Sequence, residues 1–239
     1  DLKNVGCSII KHANPCGLAE GTNQREVFER AWAGDPVSAF GSVIAFNRPV
    51  ERKTAEFLNL DNEDKMKSKF VEVIIAPDFS DDAKEYLFQH KNLRVIKYDP
   101  AELNPDADIR VYFNSLLVQG PDRTLKDTFD MVTDVKPDID EALVDFGMIA
   151  VRQLKSNAIA QVRKTDDGVF QLLGMGCGQP NRVNSTELAL KRSRENLEME
   201  YSGDETELEK YIDEKMGEAY LISDAFFPFP DNIDLCAQY

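Results

Sequence analysis

The chain has 239 residues, 42% hydrophobic and 30% charged, with a formal net charge of −15, the texture of an ordinary soluble globular protein of one large or two modest domains. That charge disfavours nonspecific nucleic-acid binding, which needs a basic footprint, but leaves room for a small anionic substrate held by a local Lys/Arg cluster. No apolar run approaches the ~18–20 residues of a membrane span, and Asp1-Leu2-Lys3-Asn4 is not the start of a secretory signal.

The elements follow in chain order. Residues 5–10 form a strand that breaks into the turn segment Lys11-His12-Ala13-Asn14-Pro15-Cys16-Gly17. A helix starts near Asn23, with Glu26 three residues on in the pattern of a capping box, and ends at Gly34. Residues 42–46 read as a strand, 53–60 as a short helix, 70–76 as a buried strand and 80–90 as a helix. Strands over 93–98 and 110–118 complete a βαβαβ rhythm, which argues for a layered α/β fold. Residues 119–136 are polar and proline-punctuated, and mark the boundary between two lobes. Asp138 and Glu141 open a helix burying Leu143, Phe146, Ile149, Ala150 and Leu154. Strands over 158–163 and 169–173 flank Asp167-Gly168, a hairpin signal. A helix follows from Asn184; the acidic stretch 195–218 reads as solvated helix, and 219–222 as a last short strand.

Several segments carry possible chemistry. At Lys11-His12, an imidazole titrates near neutrality and can move a proton, while an ammonium can stabilise an oxyanion. A surface lysine beside a structural histidine accounts for the same letters. The small residues of Asp35-Pro36-Val37-Ser38-Ala39-Phe40-Gly41-Ser42 permit close approach by a ligand, or a plain turn into a strand. Asn157, in Lys155-Ser156-Asn157-Ala158, offers a donor and an acceptor to a heterocycle, or stops a helix. The alternating glycines of Gly174-Met175-Gly176-Cys177-Gly178 precede Gln179 and a helix and could cradle a phosphate or a flat ring; a bulged strand end is the alternative. The segment 223–232, SDAFFPFPDN, is a rigid apolar wall or a core plug. Cysteines at 7, 16, 177 and 236 show no CxxC spacing, which argues against a zinc ribbon and for reduced thiols in a cytoplasmic protein.

Six segments, KHANPCG, DPVSAFGSVIAFNR, FVEVIIAP, LKSNAI, GMGCGQPNRV and SDAFFPFPDN, occur in one order. Together they resemble the transformylase domain of the bifunctional 5-aminoimidazole-4-carboxamide ribonucleotide (AICAR) formyltransferase/IMP cyclohydrolase family. The resemblance implies two cytidine-deaminase-like three-layer α/β subdomains with mixed sheets, over 1–120 and 121–239, the second incomplete. It implies formyl transfer from the cosubstrate 10-formyltetrahydrofolate to the 5-amino group of AICAR, no catalytic metal, and a homodimer with sites at the subunit interface; charge and the lack of a long apolar run argue separately against a nucleic-acid or membrane partner. Carried over by motif, His12 moves the proton, Lys11 is its electrostatic partner, and Asn157 orients substrate or stabilises the tetrahedral intermediate. Glu72, Gly41, Phe226, Pro228 and Asn232 match nucleotide- and folate-side contacts, and the loop from Gly176 to Gln179 lies by the folate. Ser42 and Cys177 depart from the residues usual in bacterial relatives. The family domain also starts earlier and runs further, and a cyclohydrolase domain precedes it, so the chain is expected to be a piece of the parent enzyme. A noncatalytic nucleotide-binding or dimerisation relative and a zinc nucleoside deaminase are the alternatives.

Overall fold

The computed structural model of the protein describes residues 2–64, 67–103 and 106–239. Its first element is a hairpin: strand β1 (Val5–Lys11) turns straight into strand β2 (Asn14–Gly21). The expected loop at Asn14-Pro15-Cys16-Gly17 is therefore a strand, and the turn is His12-Ala13, with φ of 53° and 62°. Positive φ at both central residues matches a two-residue turn to the right-handed twist of its strands. Pro15 is tolerated because the register slips beside it. Ile9 faces Gly17 while Ile10 faces Pro15, so Cys16 is the extra residue of a bulge.

Helix α1 (Gln24–Ala33) starts as its sequence predicts. The Asn23 side chain accepts from the Arg25 N–H and donates to Glu26. Its buried residues Val27, Phe28 and Ala31 pack on the sheet, so closely that a Cβ on Gly17 would stand 2.0 Å from the Ala31 carbonyl oxygen. Strand β3 (Ser42–Phe46), helix α2 (Arg52–Ala55), strand β4 (Val71–Ala76), helix α3 (Asp81–Phe88) and strand β5 (Arg94–Lys97) follow. β3, β4 and β5 are mutually parallel, and β1 runs antiparallel to both β2 and β3. The single strand expected over 110–118 is a separate hairpin, β6 (Asp108–Tyr112) and β7 (Ser115–Gln119), turned where Phe113 takes a φ of 51°.

In the second half, helix α4 (Glu141–Arg152) begins on Asp140, whose carboxylate accepts from the Ala142 and Leu143 N–H groups. Strands β8 (Ile159–Lys164) and β9 (Phe170–Gly176) form the expected hairpin, with Gly168 at a φ of 80°. Helix α5 (Arg182–Glu200), helix α6 (Leu208–Gly217), strand β10 (Tyr220–Ser223) and helix α7 (Asp231–Cys236) complete the chain. The acidic stretch is not wholly solvated: Leu197, Ile212 and Met216 are buried in a cluster with Leu173 and Leu190.

The result is an α/β fold with one eight-stranded mixed sheet, ordered β10-β8-β9-β2-β1-β3-β4-β5, and the small β6-β7 sheet. Side chains alternate across it as strand geometry requires. In β2, Gly17 and Ala19 lie on the side of α1, whereas Leu18 joins the cluster built on Leu143, Phe146 and Ala150 of α4. α5 also lies tightly on its strand: a Cβ on Gly176 would meet the Ser185 carbonyl oxygen at 2.0 Å, and one on Gly174 the Ala189 oxygen at 2.5 Å.

Candidate active site

The register places all six sequence motifs at one edge of the large sheet. β1 ends where β2 begins. Ile10 faces Val43, so that end of β1 adjoins the start of β3, and Ser42 faces Val71 at the start of β4. On the other side, Ile159 faces both Gly176 and Ser223, so the start of β8 meets the ends of β9 and β10. β2 and β9 run antiparallel, with pairing at Ala19 and Glu20 opposite Gln171 and Phe170. The start of β2 therefore points to the same edge as the end of β9. Loops carried on a rigid scaffold are where binding and catalytic residues concentrate; here the parallel strands β3 and β4 bring their amino-terminal ends to that edge.

Two groups of residues stand along this edge. In the first, the Lys11 ammonium donates to the Phe40 carbonyl oxygen at 2.7 Å, which leaves two of its three protons for other acceptors. Gly41, with a φ of 71°, donates its N–H to the Phe70 oxygen at 2.8 Å, a backbone that favours glycine. The Phe40 and Phe70 rings lie 5.2 Å apart above it. Between Ser42 and Val43 the β3–β4 register slips, and Glu72 is the residue left over, exposed at the bulge. His12 is exposed at the tip of the β1–β2 turn; its carbonyl accepts from the Asn14 amide at 3.3 Å. Beneath it, the Cys16 thiol donates to the Ile9 oxygen; burial, and then the Asp35 carboxylate, push its pKa up to about 11. Cys16 thus stays a neutral packing residue at neutral pH and is not a nucleophile.

The second group lines a cavity of about 480 Å³ that brings together Asn157, Phe226, Pro228 and Asn232 with Arg182 and Phe229, a volume suited to a small ligand. Phe226 is 80% exposed, so the aromatic segment is a wall and not a core plug. Asn232 is buried, its oxygen accepting from Thr186 Oγ1 at 2.7 Å and its amide donating to Asp231. The Asn157 amide donates to the carbonyl oxygens of Gln179 at 2.9 Å and Pro180 at 3.1 Å, and its oxygen accepts from Arg182 Nη2 at 2.7 Å. The Ser156–Asn157 peptide bond is cis. Arg182 also pairs with Asp224 and donates to Ser223 Oγ at 3.1 Å. Burial raises the Asp224 pKa, but hydrogen bonds from Ser156, Arg182 and the Ala158 N–H outweigh it and hold the carboxyl below the usual range.

The sequence-derived residues therefore divide. Lys11, Gly41 and Glu72 stand together, and so do Asn157, Phe226, Pro228 and Asn232. Gln179 belongs to the second group through its backbone, and Gly176 is accounted for by the packing of α5. The loop after β9 is held by Gly178 N–H to the Lys155 oxygen at 2.7 Å. Between the strands that carry the two groups, β1 and β8, stand β2 and β9, which pair only at Ala19–Gln171 and Glu20–Phe170, away from the edge the groups share. Arg182 and Asp224 lie within the motifs GMGCGQPNRV and SDAFFPFPDN, and their opposite charges beside an asparagine are the sequence signal of a polar network. Among the described residues, no three His, Cys, Asp or Glu side chains come together as a metal site.

A family model described as the AICARFT/IMPCHase bienzyme matches residues 1–192. The chain belongs to this family. It is 38% identical over its whole length to the bifunctional purine biosynthesis protein PurH of Desulfitobacterium hafniense, covering 41% of that protein. It is 37% identical to PurH of Clostridium perfringens and 33% identical to PurH of Buchnera aphidicola, again over its whole length, covering 40% and 41% of them. The chain thus spans about two fifths of the length of the curated relatives it matches. Both candidate groups at the sheet edge belong to this family member, although the family match itself ends within α5, before the SDAFFPFPDN segment.

Proposed function

We propose that this chain carries the formyl-transfer site of a bifunctional purine-biosynthesis enzyme, moving a formyl group from 10-formyltetrahydrofolate to the 5-amino group of AICAR. The observation that carries the reading is the convergence on a single sheet edge of six ordered motifs, five within the family match and the sixth within the full-length similarity to the relatives. The AICAR amine is a poor nucleophile, its lone pair delocalised into the ring and toward the carboxamide. Transfer therefore needs orientation, proton removal and oxyanion stabilisation together. In this reading the amine nitrogen bonds to the formyl carbon, and the Lys11 ammonium, with two free protons, faces the oxyanion. His12 takes the proton lost by the amine and returns it to N10 of tetrahydrofolate as the C–N10 bond breaks. Glu72 and Gly41 serve the nucleotide, while Phe226, Pro228 and Asn232 form the wall against which the flat substrates lie.

The parent protein, in this reading, is a cytoplasmic homodimer that also closes the formylated product to IMP through a separate cyclohydrolase domain. The halves 1–120 and 121–239 are its two cytidine-deaminase-like subdomains, joined here through β2 and β9. The two groups of one copy are separated along the sheet by β2 and β9, which supports a reacting centre completed between copies. No helix among the described residues is long and apolar enough to cross a membrane. The test is a transfer assay with AICAR and 10-formyltetrahydrofolate on the protein at the length of its relatives, with calorimetry alongside. Turnover supports the reading. AICAR binding without turnover supports a noncatalytic relative instead, and stoichiometric zinc would revive a deaminase.

A further inference from the structure

The hydrogen bonds of Asn157 leave it very little to offer a substrate. Both protons of its amide nitrogen are used, on the Gln179 and Pro180 carbonyl oxygens. One lone pair of its oxygen is used by Arg182. Its backbone N–H goes to the Gln179 oxygen at 3.2 Å, and its backbone oxygen accepts from Ser185 Oγ at 2.8 Å. A primary amide has two donors and two acceptor lone pairs, so a single lone pair on Oδ1 remains. The orientation is fixed by chemistry: rotating the amide by half a turn would set its N–H groups against the guanidinium and its oxygen against two carbonyls.

What keeps Arg182 in place is Asp224. One arm of the guanidinium fork pairs with that carboxylate while the other holds Asn157, a geometry a planar fork suits and a lysine does not. The two side chains are 12% and 18% exposed, so the pair is largely shielded. Asp224 also accepts from the Ala158 N–H at 3.1 Å and from Ser156. The same carboxylate thus grips both chain neighbours of Asn157 and the arginine that holds its oxygen.

We propose that Asp224 is a positioning residue which, through Arg182, fixes the Asn157 amide so that it presents only an acceptor to the substrate. The site then selects an N–H donor, the substrate amine, at Asn157, and an oxyanion must find its donors elsewhere. For the identity of that donor the proposal rests on the formyl-transfer reading above; for the geometry it does not.

Two measurements test it. The first follows the side-chain amide of Asn157 by ¹⁵N NMR in the 239-residue chain. The wild type shows one pair of resonances, both protected from solvent exchange. Asp224→Asn and Arg182→Lys each lose that protection, with the amide resonances of the first half of the sheet, β1 to β5, unmoved as the check on folding. Unchanged protection in Arg182→Lys, the milder variant, overturns the proposal. The second is a double-mutant cycle in the transfer assay. Asp224→Asn lowers kcat by about 10²-fold, as a misplaced contact group does, and leaves the KM for AICAR within a few-fold. In an Asn157→Ala background the same change has little further effect, because both act on one contact, and Asp224→Glu recovers part of the loss. Multiplicative losses would show that Asp224 acts independently of Asn157 and sink the proposal. A wild type without transfer defeats the functional reading alone; the NMR result then still decides the role of Asp224.

Discussion

The two groups at the sheet edge are built on opposite plans. The first is shaped by backbone: two left-handed turn residues, a bulge at Cys16, another at Glu72, and a glycine at positive φ before β3. Its side chains are lightly held; Lys11 has one carbonyl partner and His12 stands exposed. The second is shaped by side chains: Asn157, Arg182, Ser223 and Asp224 form a continuous network. Groups that must move a proton or follow a developing charge need spare capacity, which the first plan leaves. A group that must recognise one atom in one orientation needs none, and the second plan removes it.

The comparison can be broken most sharply at Lys11 and His12. Their replacement by alanine, one at a time, is expected to lower kcat/KM by about 10²–10⁴-fold with the melting temperature almost unchanged, because neither side chain packs in the core. Near-normal turnover in either variant removes it from the chemistry. Next in size is the support under that turn. Gly17→Ala would drive a Cβ into the Ala31 carbonyl and is expected to cost about 3 kcal/mol, a fall in Tm of roughly 6–12 °C in thermal denaturation.

The network of the second group has a pH signature. The Asp224 carboxyl is depressed in the folded chain, so its stabilising contribution is fully present above the unfolded value of about 3.9 and is lost as pH falls below that through the folded value. The stability difference between wild type and Asp224→Asn should therefore be constant at neutral pH and shrink on acidification below about pH 4, as denaturant titrations at several pH values would show. A difference that persists there would mean the carboxylate charge is not what matters. The smallest expected effect is at the turn itself. Ala13 holds a φ of 62° without glycine's freedom, and Ala13→Gly should raise stability by up to about 1 kcal/mol, measured by the same titrations.

The sequence spoke most clearly where one physical signal acted alone. Helical spacing gave the buried face of α4, Asn23 gave the start of α1, and Asp167-Gly168 gave the β8–β9 turn. It misled where two signals competed. Asn14-Pro15-Cys16-Gly17 has the composition of a loop, yet it lies within β2 because a bulge absorbs the proline, and the true turn at His12-Ala13 contains neither glycine nor asparagine. The β6–β7 turn, Phe113-Asn114, does carry an asparagine, but the apolar residues on either side of it read as one continuous strand. The glycines at 174 and 176 read as a ligand cradle, and the close approach of α5 is a second reason for both. Buried Ile212 and Met216 went unseen in the acidic stretch because charge outnumbers apolar residues there, although spacing puts the few apolar ones on one side. Of the site, the motif residues were legible one by one; their shared edge was not, since it depends on β9 pairing with β2 across 150 residues of chain.

The most direct test of a reacting centre shared between copies is complementation. A Lys11→Ala/His12→Ala variant and an Asn157→Ala variant, each inactive alone, would be dissociated, mixed in equal amounts and reassociated before the transfer assay. If the two groups meet across a twofold interface, half the dimers are mixed and each of those holds one intact site, so activity returns to about a quarter of the wild-type level. Mixed dimers that form and remain as inactive as their parents would contradict the account.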